Sequence, residues 1–332
     1  MNETSGTPVP PAKGGRLRRI PVQSVVLVLL SAALVVALPF VPWAEFWSAL
    51  VGSDPVWLAI AILATLALYP LWTWQWQLLA LPYERVGFDR MLVIVAISAA
   101  AKAALSGIGG TVSAVALLTN RAGLSALAAA SFMALDQLLV GISKLAILAV
   151  AFAIAPIPPE ALAAGGALAT LIVLLLIGLA MLAHPPAIVG RIAAAERGLL
   201  SRLTRFLLQV SASLDAMRDA RLAALAVILA LAKKALEVAG ALAVQIACGI
   251  EPNLAAAILA IAAVSVTTTL PVVPGNIGTY PLTVYLVYEA AGIPTPQGLA
   301  AGLLQHGCVI IPALLAGYLV PMILPRREAK TS

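Results

Sequence analysis

Charge is scarce in this chain: of 332 residues only 10% are Asp, Glu, Lys or Arg, while 62% are hydrophobic. That scarcity excludes an ordinary water-facing surface. No stretch is polar enough over about 100 residues to form a separate soluble catalytic domain. Histidine is nearly absent too. His184 and His306 are the only two, so a multi-histidine metal site is excluded. The two cysteines, Cys248 and Cys308, sit in apolar helical sequence without metal-ligand spacing. They read as buried small hydrophobes rather than a disulfide. There is no Walker glycine loop with its lysine, and no Ser/His/Asp set of convincing placement. The expectation is a protein that is not an enzyme and needs no metal and no cofactor.

What is present is apolar sequence in long runs, several exceeding the roughly 20 residues that span a bilayer. The expected fold is all-α: a polytopic bacterial inner-membrane protein with about six transmembrane helices and two inverted re-entrant helical hairpins. The net charge of +6 then reads as topology and lipid-surface charge, not nucleic-acid binding. Lys13, Arg16, Arg18 and Arg19 precede a hydrophobic stretch without a small-residue cleavage site, which favours a retained first span that starts in the cytoplasm. Residues 1–19 are expected to be a disordered cytoplasmic N-terminus, 20–325 a single membrane domain and 326–332 a cytoplasmic tail. Spans are expected at about 21–41, 55–81, 124–155, 161–184, 222–250 and 298–324. A short loop carrying Glu45 and Asp54 lies outside. Trp72, Trp74, Trp76 and Tyr83 suit an interfacial belt. The arginine-rich segment at about 185–221 suits a cytoplasmic amphipathic helix on anionic headgroups. Both termini are expected inside.

Two stretches break the pattern of spans. Met91 to Leu105 is too short to cross a core about 30 Å thick at about 1.5 Å per residue, and Ser106-Gly107-Ile108-Gly109-Gly110 follows it. A hairpin that enters and leaves on one side fits. The second stretch, Leu270 to Pro281, holds Pro271, Pro274, Pro281, Gly275, Gly278 and Asn276. Helix cannot run through it. Irregular backbone at membrane depth survives only inside protein or along a wet cavity. The two stretches also repeat: Gly110-Thr111, a short helix, Ala122-Gly123-Leu124 and a long span with Asp136-Gln137 are echoed by Gly278-Thr279, a short helix, Ala291-Gly292-Ile293 and a long span with Gln305-His306. Repeat 1 covers about 91–155 and repeat 2 about 253–324. Charge placement makes them inverted, the transporter pattern.

Ionisable groups at membrane depth are functional candidates because burying them is costly. Lys102 lies close to mid-depth on the first hairpin, Asp136 and Gln137 at similar depth on the long helix. Lys144 shares a face with Gln137 and is either a cavity residue or a snorkelling one. Glu237 can pair with Lys233 or Lys234; a structural Lys233–Glu237 pair would leave Lys234 for an anion. His306 is either a packed histidine or a proton relay, and Asn276 and Tyr280 either bind or merely satisfy hairpin backbone. More lysines than carboxylates, with half-helix N-termini nearby, point to an anionic ligand such as a phosphate.

At Pro274-Gly275-Asn276-Ile277-Gly278-Thr279-Tyr280, followed by Gly292-Ile293, an Ala-rich span and Gly317, the chain resembles the flippase-like family defined by the membrane region of lysylphosphatidylglycerol synthases. The resemblance extends over about 20–325, with a counterpart hairpin near Ser106 to Gly110. It implies a lipid-translocase fold with a central headgroup cavity. In bifunctional relatives a soluble domain makes the aminoacyl lipid; the resemblance here implies a stand-alone member without that synthase domain. Two positions depart from the family pattern: Pro281 stands where Glu is common, and Ile108, Thr111 and Ala114 stand where the first hairpin commonly carries Arg and Glu. Headgroup identity and proton coupling therefore do not carry over. Asn276 is similar to stand-alone members associated with polyprenyl-lipid or hopanoid pathways.

The reading is a lipid flippase that moves an anionic phospholipid or polyprenyl-phosphate-linked lipid between leaflets through a cationic midplane cavity. Candidate substrate-binding residues are Lys102, Lys234, Asn276, Gly275, Gly278, Tyr280, Gln137, Gln305 and His306, and candidates for coupling or ion pairing are Asp136, Lys144, Lys233 and Glu237. The partner is a membrane lipid with an anionic headgroup, with a lipid synthase or glycosyltransferase as a further candidate. Rival readings are a non-transporting scaffold of a lipid or envelope synthesis complex, and a small-solute secondary transporter.

Overall fold

The computed structural model describes residues 43–105, 107–154, 219–268 and 274–324, with the isolated positions 166, 170, 173 and 174. The expected first span, nearly all of the expected span at 161–184 and most of the 185–221 segment lie outside the described residues, as do both termini, Ser106 of the first break and residues 270–273 of the second. The described segments form helices joined by short turns.

The first helix, α1 (Trp43–Val51), replaces the expected loop before Asp54. It buries Phe46 and leaves Trp43 and Trp47 exposed, an aromatic arrangement suited to a membrane interface. Asp54 then caps α2 (Pro55–Ala80), accepting from the Val56 N–H at 2.8 Å, with Pro55 in the first turn where its missing donor costs nothing.

The first hairpin is α3 (Phe88–Leu105) and α4 (Gly107–Ala122). Its first arm begins a turn earlier than the apolar run suggested, with Asp89 placed favourably in the first turn. Gly123, at φ 80°, ends α4 in the left-handed conformation common after helix C-termini. The chain then enters α5 (Ala126–Ile154). Asp219 caps α6 (Ala220–Ala247), which ends at Gly249. Asn253 caps α7 (Leu254–Thr267), and Gln245 reaches back to hold both the N–H and the carbonyl of Asn253. A short 3-10 turn at Pro274–Asn276 precedes α8 (Thr279–Ala290) and α9 (Thr295–Ile323).

Among the described residues three helices, α2, α5 and α9, are long and apolar enough to cross a membrane. α6 is of similar length, 28 residues, but Lys233, Lys234 and Glu237 interrupt its apolar run. The structure is that of an all-helical polytopic membrane protein.

The repeat is visible in three dimensions. α5 and α9 each have 29 residues. Each follows a short helix that ends on a glycine of φ 80°, Gly123 or Gly292. Asp136 and Gln305 are each the eleventh residue of their helix, counted from 126 and from 295. The packing is reciprocal: α9 of the second unit lies along α3 of the first, and α5 of the first lies along α7 of the second. Small residues permit the close approach, since a Cβ on Gly317 would fall 3.1 Å from the Ala96 carbonyl oxygen.

Candidate functional site

The tips of the two hairpins meet. Gly275 sits at φ 63° in the second tip, and a Cβ there would fall 2.7 Å from the carbonyl oxygen of Ala103 in α3. Asn276 (φ 54°) and Gly278 (φ 85°) complete the left-handed backbone of this tip. Only residues tolerant of positive φ can make so tight a reversal. In the first hairpin a Cβ on Gly110 would fall 2.6 Å from Cβ of Lys102, so α4 can lie against the stem of that lysine only because residue 110 has no side chain. Lys102 occupies the last turn of α3, next to Ala103, whose carbonyl oxygen meets Gly275. The lysine side chain is exposed to the surface of the described structure.

The ammonium and carboxyl groups of α5 and α6 share this neighbourhood. Lys102 feels the charges of Lys234, Glu237 and Asp136. Lys144 feels Lys102, Lys234 and Glu237, and Lys233 feels all of Asp136, Glu237, Lys234 and Lys102. Lys234 Nζ donates to Glu237 Oε2 at 2.6 Å and to Ser265 Oγ at 3.2 Å. This corrects the Lys233–Glu237 pairing considered above. Consecutive helical residues point about 100° apart, and that rotation turns Lys233 toward α2. There it donates to Gln75 Oε1 at 2.5 Å and lies over the Trp72 ring, 5.4 Å from its centroid. Gln75 in turn donates to the Ala226 carbonyl at 3.1 Å.

Asp136 is buried and held by two donors. Trp76 Nε1–H reaches Oδ1 at 2.8 Å, and Gln137 Nε2 reaches Oδ2 at 3.3 Å. The expected tryptophan belt is therefore corrected as well. Trp76 is 1% exposed and Trp74 50%, because residues 72 and 76 share the inward face of α2 while 74 faces away. Gln137, though exposed, spends its amide on Asp136.

A second polar chain runs behind the hairpin tip. The Tyr288 hydroxyl donates to Gln305 Oε1 at 3.4 Å, Gln305 Nε2 donates to the Tyr280 hydroxyl at 3.1 Å, and Tyr280 stacks on His306 at 4.8 Å between centroids. His306 Nε2 lies 3.0 Å from the carbonyl oxygen of Gly275. Tyr280, Gln305 and His306 are all buried, and their polar atoms position the tip. Gln75, Trp72 and Ser265 are members of the site that the sequence reading missed. The available signal was an amide amid tryptophans in an otherwise apolar span.

α8 has Gly278 at its N-cap and no side-chain cap hydrogen bond, and Pro281 in its first turn carries no N–H, which leaves the amides of Thr279 and Tyr280 as the donors there. Cys248 and Cys308 are free and buried, as expected. Among the described residues no cluster of three metal-ligating side chains occurs. An open crevice of about 730 Å3, lined by Glu45, Ser48, Cys248, Gly249 and Gln297 among others, contains none of the residues of the lysine cluster.

Long apolar helices, two helical hairpins touching at their tips, and ionisable groups gathered beside the contact define a multi-pass membrane protein with a polar interior. The family model described as the lysylphosphatidylglycerol synthase TM region matches residues 23–317, and the chain belongs to that family. No curated protein and no solved structure matches it.

Proposed function

We propose that the protein is a lipid flippase, not an enzyme, moving an anionic phospholipid or polyprenyl-phosphate-linked lipid between the leaflets of a bacterial inner membrane. One observation carries the reading: Lys102 lies beside the contact between the two hairpin tips, and Lys233, Lys234, Glu237 and Asp136 are held by side-chain hydrogen bonds within the apolar helices α6 and α5. Excess positive charge at membrane depth is costly without an anion to meet it. Lys102 and Lys234 hold the phosphate, and Lys234 exchanges Glu237 for it. Asn276 and the backbone at Gly275 and Gly278 supply further donors. Family membership supports a lipid as the cargo, and a lipid-making enzyme is the natural partner. The small-solute carrier reading is disfavoured, since the two groups it would use for coupling are committed: Asp136 to Trp76 and Gln137, His306 to Gly275.

The test is lipid movement in proteoliposomes, with acyl-labelled fluorescent phosphatidic acid or phosphatidylglycerol and dithionite quenching of the outer leaflet. Wild type should expose inner-leaflet probe. Lys102→Ala/Lys234→Ala, checked for native helicity by circular dichroism, should not. Full transport by the double variant defeats the assignment.

A further inference from the structure

Among the described residues the buried apolar side chains gather in three clusters, and these divide the molecule by its two hairpins. One cluster holds the first hairpin, through Val95, Ala99, Ala114 and Leu118, with the later part of α2, the starts of α5 and α6 and the end of α9. The other two hold the second hairpin, through Ala257, Ala260, Val264 and Val284, with the start of α2, the later parts of α5 and α6 and the start of α9. Each hairpin therefore has a core of its own. The stretches between the cores carry polar groups. Lys144 lies on α5 between Leu139 of one core and Ile147 of the other, and Lys233, Lys234 and Glu237 lie on α6 between Ala230 and Val238.

The helices α2 and α9 pass from one core into the other, and each has a proline at the crossing. α9 gives Ala300, Ala301 and Cys308 to the core of the second hairpin and Ala316 to that of the first, with Pro312 between them. α2 gives Ala61 to the second and Tyr69 and Trp76 to the first, and holds Pro70. Proline lacks the N–H that would bond the carbonyl four residues back, so the missing bonds fall at Leu66 and Cys308. Counted from 55 and from 295, these are the twelfth residue of 26 and the fourteenth of 29. Both breaks lie near mid-helix. On either side of its proline α9 is tightly held: a Cβ on Gly302 would fall 2.5 Å from the Pro281 carbonyl oxygen of α8, and one on Gly317 would fall 3.1 Å from that of Ala96 on α3. Each half of α9 is thus locked to a different hairpin, with the weak point between. Pro321, in the last turn of α9, lies beyond the crossing.

We propose, resting on the flippase reading above for its purpose, that Pro70 and Pro312 are paired mid-membrane hinges that let the core at one end of the molecule open toward the hairpin tips while the core at the other end stays shut. A continuous helix would lever both cores together. A helix that lacks one bond at its middle bends there, and neighbouring helices shelter the freed carbonyl. α5 and α6 make the same passage without proline, so they are the frame against which the halves of α2 and α9 move. Access to the tips then alternates, one core always sealing the polar layer between them.

The experiment measures spin-label distances in the full-length protein in lipid nanodiscs, with Cys248 and Cys308 replaced. Asn120→Cys with Ile323→Cys reports across the core of the first hairpin, and Val56→Cys with Glu289→Cys across that of the second. All four positions are exposed and near helix ends. With both prolines present we expect two distances for each pair. Pro70→Ala/Pro312→Ala restores the missing donors, and each pair should then show one distance. Alanine favours helix, and circular dichroism checks that the variant is folded. Its lipid flipping should be slower by about tenfold or more, with lipid still bound in native mass spectrometry. Pro321→Ala should change neither reading. One distance for each pair with the prolines present overturns the hinge. So does a double variant that keeps two distances, or equal merging in Pro321→Ala. Merging without slower flipping overturns the role of the hinge in access. If the distances merge as expected but the protein with both prolines moves no lipid, the hinge stands and the flippase reading falls.

Discussion

Lys233 and Lys234 are neighbours in the chain and do different things. Helical rotation sends one to an amide and an indole on α2, and the other to a carboxylate and a hydroxyl facing α7. The same geometry separates Trp76, buried on Asp136, from exposed Trp74. Replacing Trp76 with Phe keeps the ring and removes the donor. Asp136 would then keep Gln137 alone, and we expect a loss of about 1.5–3 kcal/mol, the usual worth of a hydrogen bond to a charged group, read as a lower unfolding temperature in detergent. An unchanged temperature would mean that the carboxyl finds another donor. The sequence singled out the ionisable residues themselves, because any charge in an apolar run stands out. It left their pairing undecided, since Glu237 is within reach of either lysine along one helix and only the packing of α2, α5 and α7 around α6 selects a partner.

At the scale of elements, the hairpins were legible because Pro and Gly cannot continue a helix, and both appear as helix pairs. The irregular second tip is held by contacts far away in sequence: Ala103 presses on Gly275 from α3, and His306 meets its carbonyl from α9. Gly275→Ala would combine positive φ with a clash against backbone. We expect it to cost about 1–3 kcal/mol locally and to loosen the tip, seen as faster hydrogen exchange at residues 274–280 than in wild type. Unaltered exchange there would show that the tip is not braced by Ala103. α1 escaped the sequence reading because nine residues rich in tryptophan carry no full apolar period. Its helix exists by packing Phe46 toward α9 and the turn after α6.

At the scale of the whole molecule, the two repeat units exchange long helices, α9 onto the first hairpin and α5 onto the second. If the units are inverted, as basic loop residues imply, the ends of the two hairpins open on opposite faces of the membrane. In a background with Cys248 and Cys308 replaced, a single cysteine at Asn120 should react with an impermeant maleimide from one face, and one at Glu289 from the other. Labelling of both from the same face would sink the inversion and, with it, access to the site from alternate sides.

Scarce charge and long apolar runs were enough to determine an all-helical membrane protein with two broken helices, because a bilayer admits few other solutions for an unsatisfied backbone. The sequence also showed four lysines, Lys102, Lys144, Lys233 and Lys234, against two carboxylates, Asp136 and Glu237, within apolar runs. Tertiary structure alone decided that the two hairpin tips touch, that Lys234 rather than Lys233 holds Glu237, and that Tyr280, Gln305 and His306 brace the tip. Those outcomes depend on which helix faces meet across long stretches of chain, and a local pattern of apolar and polar residues does not encode which distant face it will meet.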